Sequence, residues 1–547
     1  MDAVGTLLDQ IAETLPHDRT QLRRLKAKLA AQARGPMIRN DALLRRYRDD
    51  IARGDRAPDE HVERILTLNG IRSHSGVATV TVITEPFACP GRCVYCPTEA
   101  RAPKSYLTNE PAVMRALRTD YDAYEQVRVR LEALQETGHA TDKIELIIKG
   151  GTWSFYPDAY QRTFVQRCVD AANAFDRAGG PAARGGEEVP GDADRLAGHP
   201  RALPSAGLAE ALHENETAAS RVIGTTIETP PDYVDEEEIR RLRELGVTRV
   251  ELGVQTLDED VLRLIVRDHG TAEVRRATRL LKDAGVKIAY HLMPNLPGAT
   301  PESDVDSARR LFEEADYQPD TMKLYPCVVI QSAELYDWWR EGRYTPYDDE
   351  TLTETLIRIK LHVPPYVRIE RVIRDIPSTS IQAGCLATNL REVVARRMQE
   401  RGLRCRCIRC RQVRAAADGD FELVRRDYAA SGGMEVFLSF ENAATDQLAS
   451  LLRLRIAGER APLFPALEGA ALIRELHTYG WHLPLHRRQD GAAQHRGLGG
   501  QLLEEAERIA REEFGRRRMA VIAGVGAREY YRRLGYELQD TYMVKAL

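Results

Sequence analysis

Apolar and polar positions follow two different periods along most of this chain. Between residues 77 and 372, short apolar runs are followed by longer stretches whose apolar residues recur at helical spacing. The runs predict strands at 77–83, 143–148, 222–228, 249–254, 286–293, 322–325 and 367–372. The longer stretches predict helices at 111–136, 235–245, 274–284, 303–315 and 352–362, and a further helix after the second strand that ends at about residue 175. About seven strand–helix repeats predict an α/β fold whose parallel sheet curls into a full or partial TIM-like barrel.

The pattern changes on both sides of this region, and it is interrupted once inside it. Residues 1–75 predict helices, whereas 177–207 are rich in Gly and Pro and predict a disordered insertion. Residues 376–418 form a basic, cysteine-rich linker. In the last segment, 419–547, strands are predicted at 435–440, 451–456, 471–477, 519–522 and 536–544. We therefore expect a helical region (1–75), a barrel (76–375), a linker (376–418) and a C-terminal domain (419–547).

The first candidate site is a Cys-x3-Cys-x2-Cys run made of Cys89, Cys93 and Cys96, directly after the first predicted strand. Three thiolates on one loop can bind three irons of a cubic iron–sulfur cluster and leave the fourth iron open. Structural cysteines or a zinc site are the alternative, but zinc usually takes four ligands in two pairs. The spacing resembles the radical S-adenosylmethionine (SAM) family, in which the open iron of a 4Fe-4S cluster chelates SAM.

A second cysteine group, Cys405, Cys407 and Cys410, offers three soft ligands within six residues. A structural zinc ion needs a fourth ligand, for which Cys385 and Cys327 are both candidates, and free thiols are the alternative. Eight arginines and one acidic residue lie between positions 396 and 414. A metal-bound knuckle that carries arginines is suited to nucleic acid.

The N-terminal region contains a further basic cluster. Ten Lys or Arg residues and one acidic residue lie between positions 19 and 48. Four of them fall within about one and a half helical turns: Arg23, Arg24, Lys26 and Lys28. Because acidic residues are not interleaved with them, this face is a candidate for binding phosphates, with a solvated helix surface as the alternative.

The C-terminal segment contains a glycine-rich loop, Gln494-x-x-Gly497-x-Gly499, that leads directly into a predicted helix. Glycines let backbone N–H groups approach a ligand closely, and a helix N-terminus favours anions. The loop resembles the signature of the GNAT acetyltransferases, which holds the pyrophosphate of acetyl-CoA. A second element, with Tyr530 and Tyr531, resembles the GNAT helix that places a tyrosine near the thioester; core packing is the alternative for either tyrosine.

A radical-SAM barrel followed by a GNAT domain resembles the family of the Elongator catalytic subunit in its stand-alone form. Further motifs of the resemblance are Glu251-Leu-Gly-Val-Gln255 and Lys323-Leu-Tyr-Pro326; Pro230 stands where the family usually has Arg. The resemblance implies acetyl-CoA contacts at Lys143, Glu475, Leu476, His477, Thr478, Gln494, Gly497, Leu498, Gly499, Gly500 and Tyr531. It implies SAM contacts at Gly150, Gly151, Thr152, Glu228 and Gln255.

The implied reaction joins the two domains. A SAM-derived radical takes hydrogen from the acetyl methyl group, and the carbon radical adds to C5 of the wobble uridine of tRNA to give 5-carboxymethyluridine. Lys143 contacts acetyl-CoA, and Tyr531 donates a hydrogen bond or a proton to the CoA sulfur. The partners implied are tRNA and an electron donor. Two other functions are open: a protein lysine acetyltransferase with a structural cluster, and a tRNA-binding scaffold without turnover.

Composition limits these alternatives. The chain is 43% hydrophobic and 29% charged, which is typical of a water-soluble globular protein, and its net charge of −4 restricts nucleic acid to local basic patches. We expect neither a membrane span nor a secretory signal, and hence a cytoplasmic protein. Six of nine cysteines fall in the two groups described above, which indicates metal binding rather than disulfides.

Overall fold

The computed structural model describes residues 3–33, 37–67, 77–175, 205–413, 419–479 and 497–547. Gln494 lies outside these residues, as does the predicted insertion as far as residue 204. The end of that insertion, 205–207, is described and leads into a helix, Leu208–Asn215, that the sequence analysis did not predict.

The N-terminal region forms four short helices, as predicted: α1 (Ala3–Thr14), α2 (Arg19–Ala33), α3 (Asn40–Arg53) and α4 (Glu60–Leu66). They pack around a core of their own that includes Leu8, Leu22 and Leu44. Arg48 of α3 donates a hydrogen bond to the Gln135 carbonyl oxygen (2.8 Å), which ties this bundle to the barrel.

Nine strands lie between residues 78 and 383 of the described chain: β1 (Ala78–Ile83), β2 (Lys143–Lys149), β3 (Arg221–Thr229), β4 (Arg249–Gln255), β5 (Lys287–Leu292), β6 (Thr321–Leu324), β7 (Val329–Ile330), β8 (Arg368–Arg371) and β9 (Ile381–Ala383). Seven of them form one parallel sheet in the order β1-β2-β3-β4-β5-β6-β8. No pairing joins β1 to β8 in the described chain, so the prediction of a partial barrel is confirmed. The short strands β7 and β9 pair with each other.

Twelve helices accompany these strands in the described chain: α5 (Pro111–Arg118), α6 (Ala123–Glu136), α7 (Asp158–Ala174), α8 (Leu208–Asn215), α9 (Glu236–Glu244), α10 (Glu259–Leu264), α11 (Thr271–Asp283), α12 (Pro301–Glu313), α13 (Leu335–Arg340), α14 (Asp349–His362), α15 (Leu390–Glu400) and α16 (Ile408–Arg411). The prediction of one helix over 111–136 was wrong. Asp120 and Tyr121 both have positive φ and divide α5 from α6, where the Asp122 side chain caps the second helix. Such a conformation cannot continue a right-handed helix.

Alternating positions on the strands separate an apolar outer face from a polar interior. On β2, Ile144, Leu146 and Ile148 belong to the core beneath the helices. Lys143, Glu145 and Lys149 point the other way and line a cavity. The interior of this barrel is therefore not filled by branched apolar side chains, as it is in a complete TIM barrel.

The C-terminal segment forms a second seven-stranded sheet from β10 (Glu422–Ala430), β11 (Gly433–Asn442), β12 (Gln447–Ile456), β13 (Ala470–Thr478), β14 (Arg518–Val521), β15 (Glu537–Gln539) and β16 (Tyr542–Ala546). The helices α17 (Leu498–Glu512) and α18 (Arg528–Arg532) accompany it. The sequence analysis missed β10, whose charged residues are mostly exposed. It also predicted one strand over 536–544, whereas a turn with Asp540 at φ 53° separates β15 from β16.

The second sheet docks against the barrel through backbone contact and buried ion pairs. A Cβ atom at Gly524 would lie 2.0 Å from the Ile223 carbonyl oxygen of β3, so only glycine permits this approach. Asp320, just before β6, accepts hydrogen bonds from Arg474 of β13 (2.5 and 2.9 Å) and lies 3.7 Å from Lys282 of α11. Glu435 of β11 also pairs with Arg474, at 3.0 Å.

We expect Asp320→Asn to destabilise the protein by about 3–5 kcal/mol, because the two buried cations Arg474 and Lys282 would be left with a single carboxylate, Glu435. The measurement is the free energy of unfolding by chemical denaturation, with Asp306→Asn as the control. Asp306 pairs with Arg309 on an exposed helix surface, so that variant should unfold like the wild type. Equal unfolding of both variants would contradict the expectation.

Candidate active site

One cavity of about 2560 Å³ is lined by residues of both the barrel and the C-terminal sheet. Its lining includes the cysteine loop at one end and Tyr531 and Gly499 at the other. Lys143 and Lys149, the two ends of β2, both line it, so it extends for roughly 20 Å along the strands. The cavity therefore runs through the whole barrel, from the cysteine loop to the C-terminal sheet.

The three cysteines of the first group lie on the loop after β1 and line the cavity, and their sulfur atoms are not all within 4.8 Å of one another. A Cβ atom at Gly91 would lie 3.8 Å from the sulfur atoms of both Cys89 and Cys93, so glycine keeps the space between the thiols open. A hydrogen bond with Cys96, together with the Arg267 guanidinium, lowers the pKa of the Cys93 thiol to about 5. Thiolates bind iron, so these residues fit a cluster held by three cysteines.

Four of the five residues predicted to contact SAM line the cavity next to these cysteines: Gly151, Thr152, Glu228 and Gln255. The Thr152 hydroxyl lies 3.6 Å from the Cys89 sulfur. Gln255 has a φ of 68°, and its buried side-chain oxygen has no hydrogen-bond partner in the described chain. Gly150 does not line the cavity; a Cβ atom there would lie 1.9 Å from the Thr84 hydroxyl, so it permits the turn after β2.

Buried charges occupy the barrel interior around Glu251, a residue that the sequence analysis named only as part of a family motif. Glu251 is paired with Lys149 (3.4 Å), with His291 (2.9 Å) and with Lys323. Burial would raise the pKa of Glu251, but Lys149 and Lys323 outweigh it and hold this pKa well below its usual range. Burial lowers the pKa of His291, which favours the neutral ring.

The signal for these residues was present in the sequence. Charged residues occur at alternate positions of otherwise apolar strands, as in Lys143-Ile-Glu145 and Arg249-Val-Glu251. A strand buried on both faces would carry apolar residues at such positions.

At the other end of the cavity, β13 extends beyond its neighbour. It pairs with β14 over Ala470–Ile473, and among the described residues no strand pairs with 474–478 on that side. The backbone groups of this unpaired edge are therefore available to a ligand. Glu475, Leu476, His477 and Thr478, all predicted acetyl-CoA contacts, lie on this segment and line the cavity.

The glycine loop fits an anion beside this edge. Gly497 adopts φ 71° immediately before α17, and Gly497, Gly499 and Gly500 line the cavity. A Cβ atom at Gly499 would lie 3.6 Å from the Thr478 hydroxyl and 3.9 Å from that of Tyr530. The Leu498 side chain packs in the core of the C-terminal sheet, so the predicted contact of this residue with acetyl-CoA would be made by its backbone.

The two tyrosines of α18 differ in exposure. Tyr531 is buried in the C-terminal core but also lines the cavity, and burial raises its pKa, so the hydroxyl stays protonated. Tyr530 is 37% exposed, and it too lines the cavity. Both tyrosines thus line the cavity at the end that contains the glycine loop.

His477 and Glu475 face the barrel from β13. Glu475 accepts a hydrogen bond from Lys287 of β5 at 2.7 Å, which joins the two sheets at the cavity wall. The buried Nε2 atom of His477 has no hydrogen-bond partner within the described residues. Burial lowers the pKa of His477 to about 4, with Lys143 among the nearby charges that lower it.

The sulfur atoms of Cys405, Cys407 and Cys410 all lie within 4.8 Å of one another. Zinc binds sulfur at about 2.3 Å, so this separation fits a shared zinc ion. Neither Cys385 nor Cys327 joins the group, and it has no fourth His, Cys, Asp or Glu among the described residues.

The structure corrects two predictions about basic residues. Lys26 is buried and donates to Asn40, because it lies one helical turn after the core residue Leu22; Arg23, Arg24 and Lys28 are exposed. Several arginines between 396 and 414 are paired with carboxylates from other elements: Arg397 with Glu350, Arg401 with Glu354, and Arg411 with Glu441.

An open parallel barrel with a three-cysteine loop, joined to an acetyltransferase-like sheet, defines a radical SAM enzyme with a second catalytic domain. The Radical SAM superfamily model matches residues 196–311, and the Radical_SAM C-terminal domain model matches 319–400.

The full-length relatives are named more specifically. The chain is 47% identical to "tRNA uridine(34) acetyltransferase" of Dehalococcoides mccartyi, over 87% of this chain and 99% of that protein. It is 40% identical to human "Elongator complex protein 3", over 88% of this chain and 86% of that protein. The solved structure of Methanocaldococcus infernus Elp3 with an N-terminal deletion covers 86% of this chain and all of that one, with 40% identity and a TM-score of 0.72. The chain belongs to this tRNA uridine(34) acetyltransferase/Elongator complex protein 3 family.

The described helices include none that is both long enough and apolar enough to cross a membrane.

We expect Cys93→Ala to reduce bound iron to the background level and to abolish SAM cleavage, because one of three cluster ligands is lost. Acetyl-CoA affinity should be unchanged, since its predicted contacts lie at the other end of the cavity. Iron analysis, anaerobic SAM cleavage and calorimetry measure the three quantities. Cys168→Ala is the matched control, because Cys168 lies in the hydrophobic core and does not line the cavity. Wild-type iron content in Cys93→Ala would contradict this assignment.

Proposed function

We propose that this protein converts the wobble uridine of tRNA to 5-carboxymethyluridine, with SAM and acetyl-CoA as co-substrates. The observation that carries the proposal is the single cavity lined by both the cysteine loop and the glycine loop. A radical generator and an acyl donor that share one cavity can act on one substrate. The relatives named tRNA uridine(34) acetyltransferase support this choice of substrate.

In this proposal, Cys89, Cys93 and Cys96 hold a 4Fe-4S cluster. When bound, such a cluster supplies the electron that cleaves SAM and leaves one iron open to it. Glycines at 150 and 151 shape the turn on which SAM lies, and Thr152 adjoins the Cys89 ligand. The unpartnered Gln255 oxygen accepts a hydrogen bond from SAM, which removes the cost of a buried, unsatisfied acceptor.

Acetyl-CoA lies at the opposite end of the cavity. The N–H groups at the start of α17 receive its pyrophosphate, and the unpaired edge of β13 binds the arm that leads to the thioester. Lys143 reaches this arm from the barrel side of the cavity. Tyr531, kept protonated by burial, donates a hydrogen bond to the CoA sulfur when the thioester is cleaved.

The buried charges of the barrel interior hold the space between the two ends. Glu251, Lys149 and Lys323 hold one another in place through ion pairs. They therefore form a polar wall facing the uracil and keep apolar side chains from filling the barrel interior. Uracil carries polar edges that such a wall can bind, and a wobble base can be turned out of the anticodon loop. Cys405, Cys407 and Cys410 would supply three of the four ligands of a structural zinc ion, and Cys410 lines this cavity.

The proposal is tested with acetyl-CoA that carries deuterium on its methyl group. Under anaerobic, reducing conditions with tRNA, we expect deuterium in 5′-deoxyadenosine and a carboxymethyl group on the wobble uridine, both measured by mass spectrometry. Omitting tRNA should suppress loss of acetyl-CoA. Normal formation of deoxyadenosine without deuterium would show that the acetyl methyl is not the target. Acetylation of added protein lysines without tRNA would support a lysine acetyltransferase instead.

We expect the triple change of Arg23, Arg24 and Lys28 to Gln to weaken tRNA binding and flatten its salt dependence. Each lost phosphate contact lowers the slope of log affinity against log salt by up to about 0.9. The measurement is tRNA affinity over a range of salt concentrations. The matched control changes three exposed arginines elsewhere, Arg240, Arg263 and Arg511, to Gln. If both triple variants show the same slope of log affinity against log salt, the N-terminal basic residues do not contact phosphates and form an ordinary solvated helix surface.

A further inference from the structure

A segment that the sequence analysis did not single out, residues 265–269, packs directly against the cysteine loop. The Val94 N–H donates to the Ile265 carbonyl oxygen at 3.2 Å. A Cβ atom at Gly91 would lie 3.6 Å from the Asp268 carboxylate. Between these contacts, Arg267 donates a hydrogen bond from Nη1 to the Cys93 sulfur at 3.2 Å.

The Arg267 side chain is held in this position by two further hydrogen bonds. Nη2 donates to the Gly253 carbonyl oxygen at 2.8 Å, and Nε donates to Nε2 of His269 at 2.8 Å. A Cβ atom at residue 253 would lie 2.7 Å from Nη2, so glycine makes room for the guanidinium. All three nitrogens of the guanidinium therefore have defined acceptors, which fixes the direction of the N–H group that meets the sulfur.

Arg267 and Arg249 both line the cavity but differ in their counter-charges. Arg249 is paired with Glu145 (3.1 Å) and Glu370 (2.8 Å). Arg267 has no carboxylate within 4.0 Å among the residues that the structure describes. The Arg267 guanidinium therefore meets the cysteine loop at the Cys93 sulfur, and no carboxylate of the described residues shares its charge at that distance.

We propose that Arg267 sets the reduction potential of the cluster held by Cys89, Cys93 and Cys96. Reduction is a one-electron step: an external low-potential donor supplies the electron, the cluster core goes from 2+ to 1+, and no covalent bond forms or breaks. With three thiolate ligands, the site becomes one charge more negative. A fixed positive charge and an N–H···S hydrogen bond both stabilise that more negative state, so Arg267 raises the potential and makes the cluster easier to reduce.

This role goes beyond the proposed function and uses only its first part, the presence of the cluster. Arg267 is a positioning residue in this sense, because it acts through Cys93. A merely structural role would change iron content or stability and leave the potential of the loaded protein unchanged.

The test compares the full-length wild type with Arg267→Gln and Arg267→Lys after anaerobic loading with iron and sulfide. Iron and sulfide per chain are measured first. Each protein is then titrated with dithionite at controlled potentials, and the reduced cluster is counted by electron paramagnetic resonance. Arg263→Gln is the matched control, because Arg263 lies nearby on α10 but is exposed and paired with Asp260.

At a fixed potential, we expect Arg267→Gln to raise the ratio of oxidised to reduced cluster at least tenfold, a downward shift of 59 mV for a one-electron couple. Arg267→Lys keeps the positive charge but lacks the planar set of guanidinium N–H donors. Its ratio of oxidised to reduced cluster should therefore fall between the ratios of the Gln variant and the wild type. Arg263→Gln should match the wild type.

Two results would overturn the proposal. One is a loaded Arg267→Gln protein with the wild-type potential. The other is loss of iron from both Arg267 variants while both remain folded, which would make Arg267 an assembly residue only. If Arg267→Gln alone fails to load, the Lys variant decides, and a wild-type potential in it counts against the proposal. A wild type that forms no cluster would instead contradict the proposed function itself.

Discussion

The need to pair buried charge inside the barrel is the constraint on which the rest of this structure depends. Glu251 is fully buried on β4, and it is stabilised there by Arg249 of the same strand and by Lys149, Lys323 and His291 from three other strands. Side chains tied to one another in this way cannot collapse into an apolar core. The barrel interior consequently stays hollow and polar, and the cavity continues from one end of the strands to the other.

The same principle joins the two sheets. Asp320 and Glu435, one from each sheet, share Arg474 and lie near Lys282, and all four side chains are buried. Lys287 adds a further pair with Glu475 at the cavity wall. Because each charge depends on partners from the other sheet, moving the sheets apart would leave unpaired buried charges. The orientation of β13 relative to the barrel, and thus the shape of the shared cavity, follows from these pairs.

The cavity ends differ in the chemistry they offer. The cysteine end combines three thiols with Arg267, a cation that has no carboxylate within 4.0 Å in the described chain. The glycine end offers N–H groups at the start of α17, the unpaired edge of β13 and two tyrosine hydroxyls. Soft anionic ligands suit iron, and oriented N–H groups suit a pyrophosphate, so the two co-substrates of the proposed reaction have separate places in one space.

Local patterns in the sequence determined much of this protein. The strand and helix periods predicted the seven barrel strands within a few residues, and the spacing of Cys89, Cys93 and Cys96 indicated the cluster site. The break between α5 and α6 escaped prediction, because it depends on two residues with positive φ in a stretch that is otherwise helical in pattern. Spacing also left the orientation of the basic helix open: the turn that buries Leu22 buries Lys26 as well, and the packing of α2 in the core of the N-terminal bundle decides that rotation.

Contacts between distant parts of the chain were decided by the tertiary structure alone. Arg267 and Cys93 are 174 residues apart, and Glu350 and Arg397, which form an ion pair, are 47 apart. A count of charges in a short stretch of sequence cannot show that residues such as Arg397 are already paired with a carboxylate from another element. By itself, the sequence determined which chemistry each segment carries, because cluster ligands, glycine turns and strand periods are local. Only the tertiary structure decided which charges meet and that the two sites share one cavity, because both depend on how the sheets pack.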